Sequence, residues 1–275
     1  MKQKVLFTMA LCAMLGFANS CKKDSSSDDS GGGGAWYNFF SLEDDKKLGQ
    51  QTRDEIAKDP VKYPLLDETQ YAEAYTYIRK ITDKVINSGK LDHRNDFDWQ
   101  VKIIRDDAVL NAFCAPGGYM YVYTGLIKYL DNEAQLAGVM GHEIAHADQR
   151  HSTDALSVQY GVQMLLDYTL GKDPGLAAQI ASNLLSLKYS RGNESDADNH
   201  SVIYLYPTDY NAYGARGFFQ KLEDEGKGND GFGFLSTHPN PEDRITHITQ
   251  KWQSLGGKTG NDFQSEYATF KTKLP

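Results

Sequence analysis

His142 and His146 stand four residues apart in Val139 to Arg150, VMGHEIAHADQR, within a run of helical periodicity. On an α-helix this spacing puts them about 40° apart around the axis and about 6 Å along it, on one face. Two imidazoles so placed can grip one tetrahedral Zn²⁺, and Glu143 beside the first can handle the proton of a zinc-bound water. The flanks suit a helix, with Asn132 as N-cap, Gln135 three residues on, and Leu136, Val139, Met140 and Ile144 on apolar faces. Gly138, Gly141, Ala145 and Ala147 keep that helix thin, so neighbouring elements can approach the ligands closely. Two histidines do not complete a zinc site, so the chain must bring a third ligand from elsewhere.

The chain has 275 residues, 40% of them hydrophobic, which suits one sizeable domain with its own core, over 36–275. Its net charge is −8 and its basic stretches are short, so nothing points to nucleic acid. Residues 1–20 read as a secretory signal: Lys2 and Lys4, an apolar run from Val5 to Phe17, then Ala18-Asn19-Ser20-Cys21. The apolar run is too short to span a bilayer. A small residue before cysteine resembles the lipobox of bacterial lipoproteins, with Ala18 where leucine is usual. That resemblance implies that Cys21 is lipidated and becomes the mature N-terminus, a membrane anchor. Within the linker 21–35, Lys22 to Gly34 is polar, low in complexity and ends in four glycines, a flexible tether with a reach of about 20 Å. Cys12 lies in the signal, so Cys114 is alone in the folded domain and has no internal disulfide partner. It reads as a small buried apolar residue, with a catalytic thiol as the alternative.

Helical patterns cover Ser41 to Lys58 and Glu68 to Ser88, the latter ended by Gly89. Phe97 to Arg105 alternates as a strand. Val109 to Phe113 and Tyr119 to Tyr123 flank Pro116-Gly117-Gly118, which reads as a tight bend between strands. A short helix near Leu126 to Leu130 leads into the histidine helix. Further helical patterns follow at roughly 152–170, 175–189, 193–206 and 209–225. A glycine-rich loop (Gly226 to Pro239) precedes a last helix from Pro241, capped by Asn240. The expected fold class is α+β, predominantly helical, with a small sheet.

The third ligand is not His151. On a continuing helix it points about 140° away from His146. Ser152 stands six residues after the second histidine, and Gln149 where a glycine turn would be needed, so that arrangement is excluded. Tyr189 to Ser201, YSRGNESDADNHS, is the better source. Glu194 and Asp198 share a helical face there, able to supply one carboxylate to the metal and a second to orient a ligand histidine. Asp196 lies about 160° from Asp198 and reads as solvated or as a partner for Arg191. His200 is a rival ligand.

HEIAHADQRH, YSRGNESDAD, NAFCAPGGYMYV and STHPNPEDR together resemble the HtpX/BepA/LoiP-type gluzincin metallopeptidases. That family also holds the CaaX prenyl endopeptidases and a mitochondrial inner-membrane protease. The motifs occur in family order and span Asn111 to Arg244, about half the chain. The resemblance implies a zincin-like domain, one Zn²⁺ held by His142, His146 and Glu194, Glu143 as catalytic base, and Asp198 supporting a ligand. It also implies that Gly118 to Tyr123, with Tyr119 and Tyr121, is an edge strand that pairs with extended substrate; by pattern alone a structural tyrosine face fits equally. Three departures are mild: Asp196 for a usual glutamate, Ser201 for a glycine or alanine, and Cys114 within the NAF…PGG stretch.

His238 is a candidate oxyanion donor, or instead a fourth ligand that holds the resting enzyme inactive. Arg244 either carries a carboxylate, helps the oxyanion, or pairs with an acidic neighbour. The sequence thus reads as a lipid-tethered zinc endopeptidase of a Gram-negative envelope, on the outer membrane facing periplasm or surface. By resemblance its substrates are misfolded envelope proteins. The rivals are a zinc-loaded, chaperone-like binding lipoprotein with little proteolysis, and a structural lipoprotein whose motif is accidental.

Overall fold

The structure, a computed structural model, describes residues 38–169, 171, 174–227, 233–238 and 241–275. The signal, the tether with Cys21, Pro239, the Asn240 cap and residues 228–232 of the glycine-rich loop lie outside the described residues. Helices α1 (Leu42–Lys58) and α2 (Ala72–Ile86) precede strands β1 (Gln100–Ile104), β2 (Ala112–Ala115) and β3 (Tyr119–Tyr123). Then come α3 (Thr124–Tyr129), α4 (Glu133–Asp148), α5 (His151–Thr169), α6 (Pro174–Leu184) and α7 (Arg191–Leu205). The chain closes with α8 (Gly214–Asp224), the short α9 (Phe234–Thr237), α10 (Pro241–Ser254) and α11 (Gln264–Lys271). The class is the expected one, mostly helical with one small sheet. Among the described residues no helix is long and apolar enough to cross a membrane.

Local chemistry explains most boundaries. Ser41 and Asp44 cap α1 reciprocally, and the Asn132 side chain accepts from Gln135 N at 2.9 Å to start α4. Helix α2 starts at Ala72 rather than Glu68, because the Asp67 carboxylate accepts from the N–H groups of Thr69 and Gln70 and holds a turn there. The strand expected at Val109 to Phe113 sits later, at Ala112–Ala115. Gly117, at φ 76°, supplies the left-handed step of the Pro-Gly-Gly turn into β3. Two helices escape a sequence reading: α9 is a single turn, and α11 buries only Tyr267 and Phe270 in a polar run.

The strand order is β1-β3-β2, with β1 parallel and β2 antiparallel to β3. This corrects one expectation. Tyr119 and Tyr121 do not lie on an edge strand: β3 is the central strand, and Tyr121 pairs with Lys102 on one side and Phe113 on the other, while Gly118 ends the turn that precedes it. Alternation does hold, since Met120 and Val122 enter the main core while Tyr119, Tyr121 and Tyr123 pack with Ile56 of α1 on the opposite face. Phe113 stacks on Tyr121 at 4.9 Å and 19°. The tyrosines are a structural layer between the sheet and α1.

Helix α4 runs through the middle of the main core, and all its residues are buried. Its small residues allow backbone contact: a Cβ on Gly138 would lie 2.2 Å from Ala215 N of α8. Ser201 of α7 donates its hydroxyl to Gly138 O at 2.7 Å, so this departure from the family pattern satisfies a buried carbonyl. Helix α4 then stops at Asp148, and Arg150 takes a left-handed backbone at φ 60°. That costly conformation is held by the Arg150 side chain, which bonds Asp45 and Phe40 O. The break turns the chain, and α5 begins at His151 on a new axis.

Candidate metal centre

Helix α4 presents His142 and His146, α7 presents Glu194, and His238 closes the group from the end of α9. All four are buried, and each offers a ligand atom within 4.8 Å of the others. His142 Nε2 lies 3.0 Å from His146 Nε2, 3.5 Å from Glu194 Oε2 and 3.4 Å from His238 Nδ1. Glu194 Oε1 lies 3.5 Å from His146 Nε2 and 3.0 Å from His238 Nδ1.

These residues fit a cation. A tetrahedron with metal–ligand bonds of about 2.1 Å has edges of about 3.4 Å, comparable to the separations above, which involve both Glu194 oxygens. Glu194 Oε2 is buried yet makes no hydrogen bond. An unsatisfied buried oxygen costs about 1–3 kcal/mol, which a bound cation would remove. Arg244 Nη1 comes within 3.1 Å of Glu194 Oε2, but the pair is too poorly aligned to satisfy either atom by hydrogen bonding.

The protonation pattern of the bare site points the same way. Burial alone would raise the Glu194 carboxyl, but His238, Arg244 and His142 around it hold it well below the usual range. Burial and the Arg244 charge would lower His142, and the Asp198 and Glu194 carboxylates outweigh them, raising it to about 9. Burial and the neighbouring His142 hold His146 well below its ordinary value, so it is neutral. A proton on His142 thus compensates the carboxylates where a cation would otherwise do so.

Around this group stands a supporting layer. Asp198 Oδ1 lies 2.9 Å from His142 Nδ1, as does Arg244 Nη2, and His142 Nε2 faces the cluster. Arg244 grips Asp198 with two nitrogens, Nε at 2.8 Å and Nη2 at 2.5 Å, and packs over the Phe219 ring at 4.1 Å. Arg244 thus makes the pair with an acidic neighbour that was one of the readings open for it. Glu143 sits beside the ligands rather than among them, with Oε1 3.5 Å from His238 Nε2, and burial pushes its carboxyl up. Tyr189 stacks on His146 at 3.8 Å and 18°, and Phe234 stacks on His238 at 4.2 Å.

Two sequence expectations change. His151 does not point away from His146; its Nδ1 lies 3.0 Å from His146 Nδ1, because the break at Arg150 resets the helix phase. Asp196 bonds His151 and His200, while His200 itself stays outside the cluster. Tyr189 had no signal beyond its place in YSRGNESDAD. Cys114 is buried, and burial together with the Glu143 charge raises its thiol well above the ordinary value, which removes the case for a catalytic thiolate.

Comparison with known proteins agrees with this geometry. Residues 72–251 match Peptidase family M48. The chain belongs to that family. It is 26% identical over 221 residues to the Mitochondrial metalloendopeptidase OMA1 of Schizosaccharomyces pombe, covering 78% of this chain and 63% of that protein. It is 32% identical over 162 residues to the OMA1 of Arabidopsis thaliana, covering 58% and 32% respectively. Similarity to the Beta-barrel assembly-enhancing protease of Escherichia coli K12 is 30% over 158 residues, 52% of this chain and 32% of that one. The chain thus spans less than two thirds of each of these M48 relatives. The M48 match takes in the histidine helix, Glu194 and His238 together.

Proposed function

We propose that this M48 chain is a zinc endopeptidase, anchored through lipid on Cys21 in a Gram-negative envelope, that hydrolyses misfolded or stalled envelope proteins there. The observation that carries the reading is the convergence of His142, His146 and Glu194 beside Glu143, a buried carboxylate that is not one of the clustered ligands. Imidazole nitrogens with one carboxylate suit zinc better than magnesium or calcium, which prefer all-oxygen shells. The cation would supply a Lewis acid, acidifying water and polarising a scissile carbonyl. Glu143 takes the proton of the attacking water and returns it to the leaving amine, and its raised pKa suits both transfers. Asp198, held by Arg244, keeps His142 in one tautomer.

For substrate, β2 replaces β3 as the strand to consider. Tyr123 N donates to Asn111 O, so antiparallel alternation turns the backbone of Ala112 and Cys114 outward. The Asn111 side chain accepts from Ala112 N at 2.9 Å, and the outward backbone of Cys114, buried in this arrangement, would meet an extended polypeptide once the cover over β2 moves. Phe234 N donates to Leu110 O at 2.8 Å, so the segment that seats His238 docks where β2 begins. His238 with its Nδ1 among the ligands therefore reads as a latch, which an incoming chain displaces.

Purified protein should carry one zinc per chain and cleave casein, with cleavage lost on chelation and restored by zinc. A metal-free protein would sink the zinc reading. Zinc without any cleavage would leave the chaperone-like lipoprotein instead. His238→Ala should raise casein cleavage roughly five- to tenfold, the gain from removing a closed state populated at about 80–90%. Loss of turnover with zinc retained would assign the oxyanion role, and a variant equal to wild type would exclude both.

A further inference from the structure

The His146 ring faces two ways. Its Nε2 lies in the ligand cluster, and its Nδ1 lies 3.0 Å from His151 Nδ1. His151 is buried at the start of α5, and its Nε2 lies 3.1 Å from Asp196 Oδ2 on α7. Asp196 also lies 3.2 Å from His200 Nδ1 through the same oxygen. The geometry points to a relay in which Asp196, acting through His151, positions His146 for metal binding. It does for His146 what Asp198 does directly for His142. This inference rests on the metal-site reading given above.

Only one proton fits between two Nδ1 atoms in contact. A neutral His146 that ligates through Nε2 carries its proton on Nδ1, so His151 Nδ1 must accept. His151 then holds its own proton on Nε2 and donates it to Asp196. Every group in the chain is satisfied by this single assignment. The alternative, His151 protonated on Nδ1, would make His146 accept there and carry its proton toward the cation.

The stack with Tyr189 does not do this work. It fixes the plane of the His146 ring, but a ring flipped by 180° stacks equally well and would put carbon where a ligand nitrogen is needed. The hydrogen bond to His151 discriminates between the two flips. Partners of ligand histidines of this kind are typically worth 10–100-fold in metal affinity. The neighbouring carboxylate is fixed in turn: Asp196 is held from α5 by His151 and from its own helix by His200, so the relay ties the start of α5 to α7.

The test is zinc affinity of the full chain, by competition with a chromogenic chelator, beside thermal unfolding of the metal-free protein. His151→Phe keeps a planar ring but removes the acceptor, and should weaken zinc binding by about 10–100-fold. Its metal-free Tm should stay near that of the wild type while its zinc-induced rise in Tm shrinks. His151→Asn puts an amide oxygen near the Nδ1 position and should recover most of the affinity. Asp196→Ala should give a smaller loss in the same direction, and serves as the test should His151→Phe fail to fold. Cobalt-substituted His151→Phe should show a shifted d–d absorption, which a purely structural role would not produce. Zinc affinity equal to wild type in both His151→Phe and Asp196→Ala overturns the relay while leaving the metal site standing. A wild-type chain that binds no zinc overturns both.

Discussion

Glu143→Gln should abolish casein hydrolysis while leaving one zinc per chain. The substitution keeps the shape and the carbonyl oxygen and removes only the capacity to accept a proton. Glu143 lies outside the four-residue ligand cluster, so metal content should not move. General-base catalysis is worth about 10²–10⁴-fold, and kcat should fall by that factor. The fold should tolerate the change, because the charged form of Glu143 is disfavoured by its burial and an amide carries no such penalty. Metal analysis and casein cleavage on the same preparation read both halves. Activity within threefold of wild type would remove Glu143 as the base. Loss of zinc in the variant would make it a ligand instead.

The second large effect is on stability. Arg244→Met should destabilise the metal-free protein by about 3–5 kcal/mol, the usual cost of stripping one partner from a buried ion pair. Arg244 and Asp198 are both buried, and the two guanidinium contacts are the main counter-charge to Asp198 besides His142. Methionine fills much of the volume beside Phe219, so the loss reports charge and hydrogen bonding more than a cavity. Urea unfolding, with the slope compared between variant and wild type, measures it. A change below about 1 kcal/mol would mean that Asp198 is stabilised by other groups. The same variant should bind zinc more weakly, since Asp198 would no longer be held against His142 Nδ1.

Some of this molecule is local and therefore legible along the chain. The pairs His142 and His146, and Glu194 and Asp198, share faces because a helix repeats every 3.6 residues whatever surrounds it. The Asn132 cap and the alternation of Tyr119, Tyr121 and Tyr123 are local in the same sense. The YSRGNESDAD block pointed to the right helix for a carboxylate, although nothing in its spacing indicates how that helix crosses α4. Small residues at Gly138 and Gly141 hinted at a close crossing without naming the partner, which proved to be α8 at the first and α7 at the second.

The rest needed the chain to meet itself. Which strand is central depends on β1 adding in parallel on the far side of β3, a pairing between distant segments that no alternation pattern encodes. That is why β2 at Ala112–Ala115, and not β3 at Tyr119–Tyr123, lies at an edge of the sheet. His151 looked misdirected because the α4 pattern runs on without glycine or proline, and the break at Arg150 is held instead by Asp45 and Phe40 from the chain start. Arg244 and His238 reach the cluster from far along the sequence, and their partners are set by packing. Which chemical groups the chain carries, and on which helical faces they lie, can be read along the chain, because those follow from short-range backbone geometry. Only the packed chain decides which of them converge, which strand lies at the centre of the sheet, and which histidine stands behind His146, because contacts between distant segments depend on the whole chain packing at once.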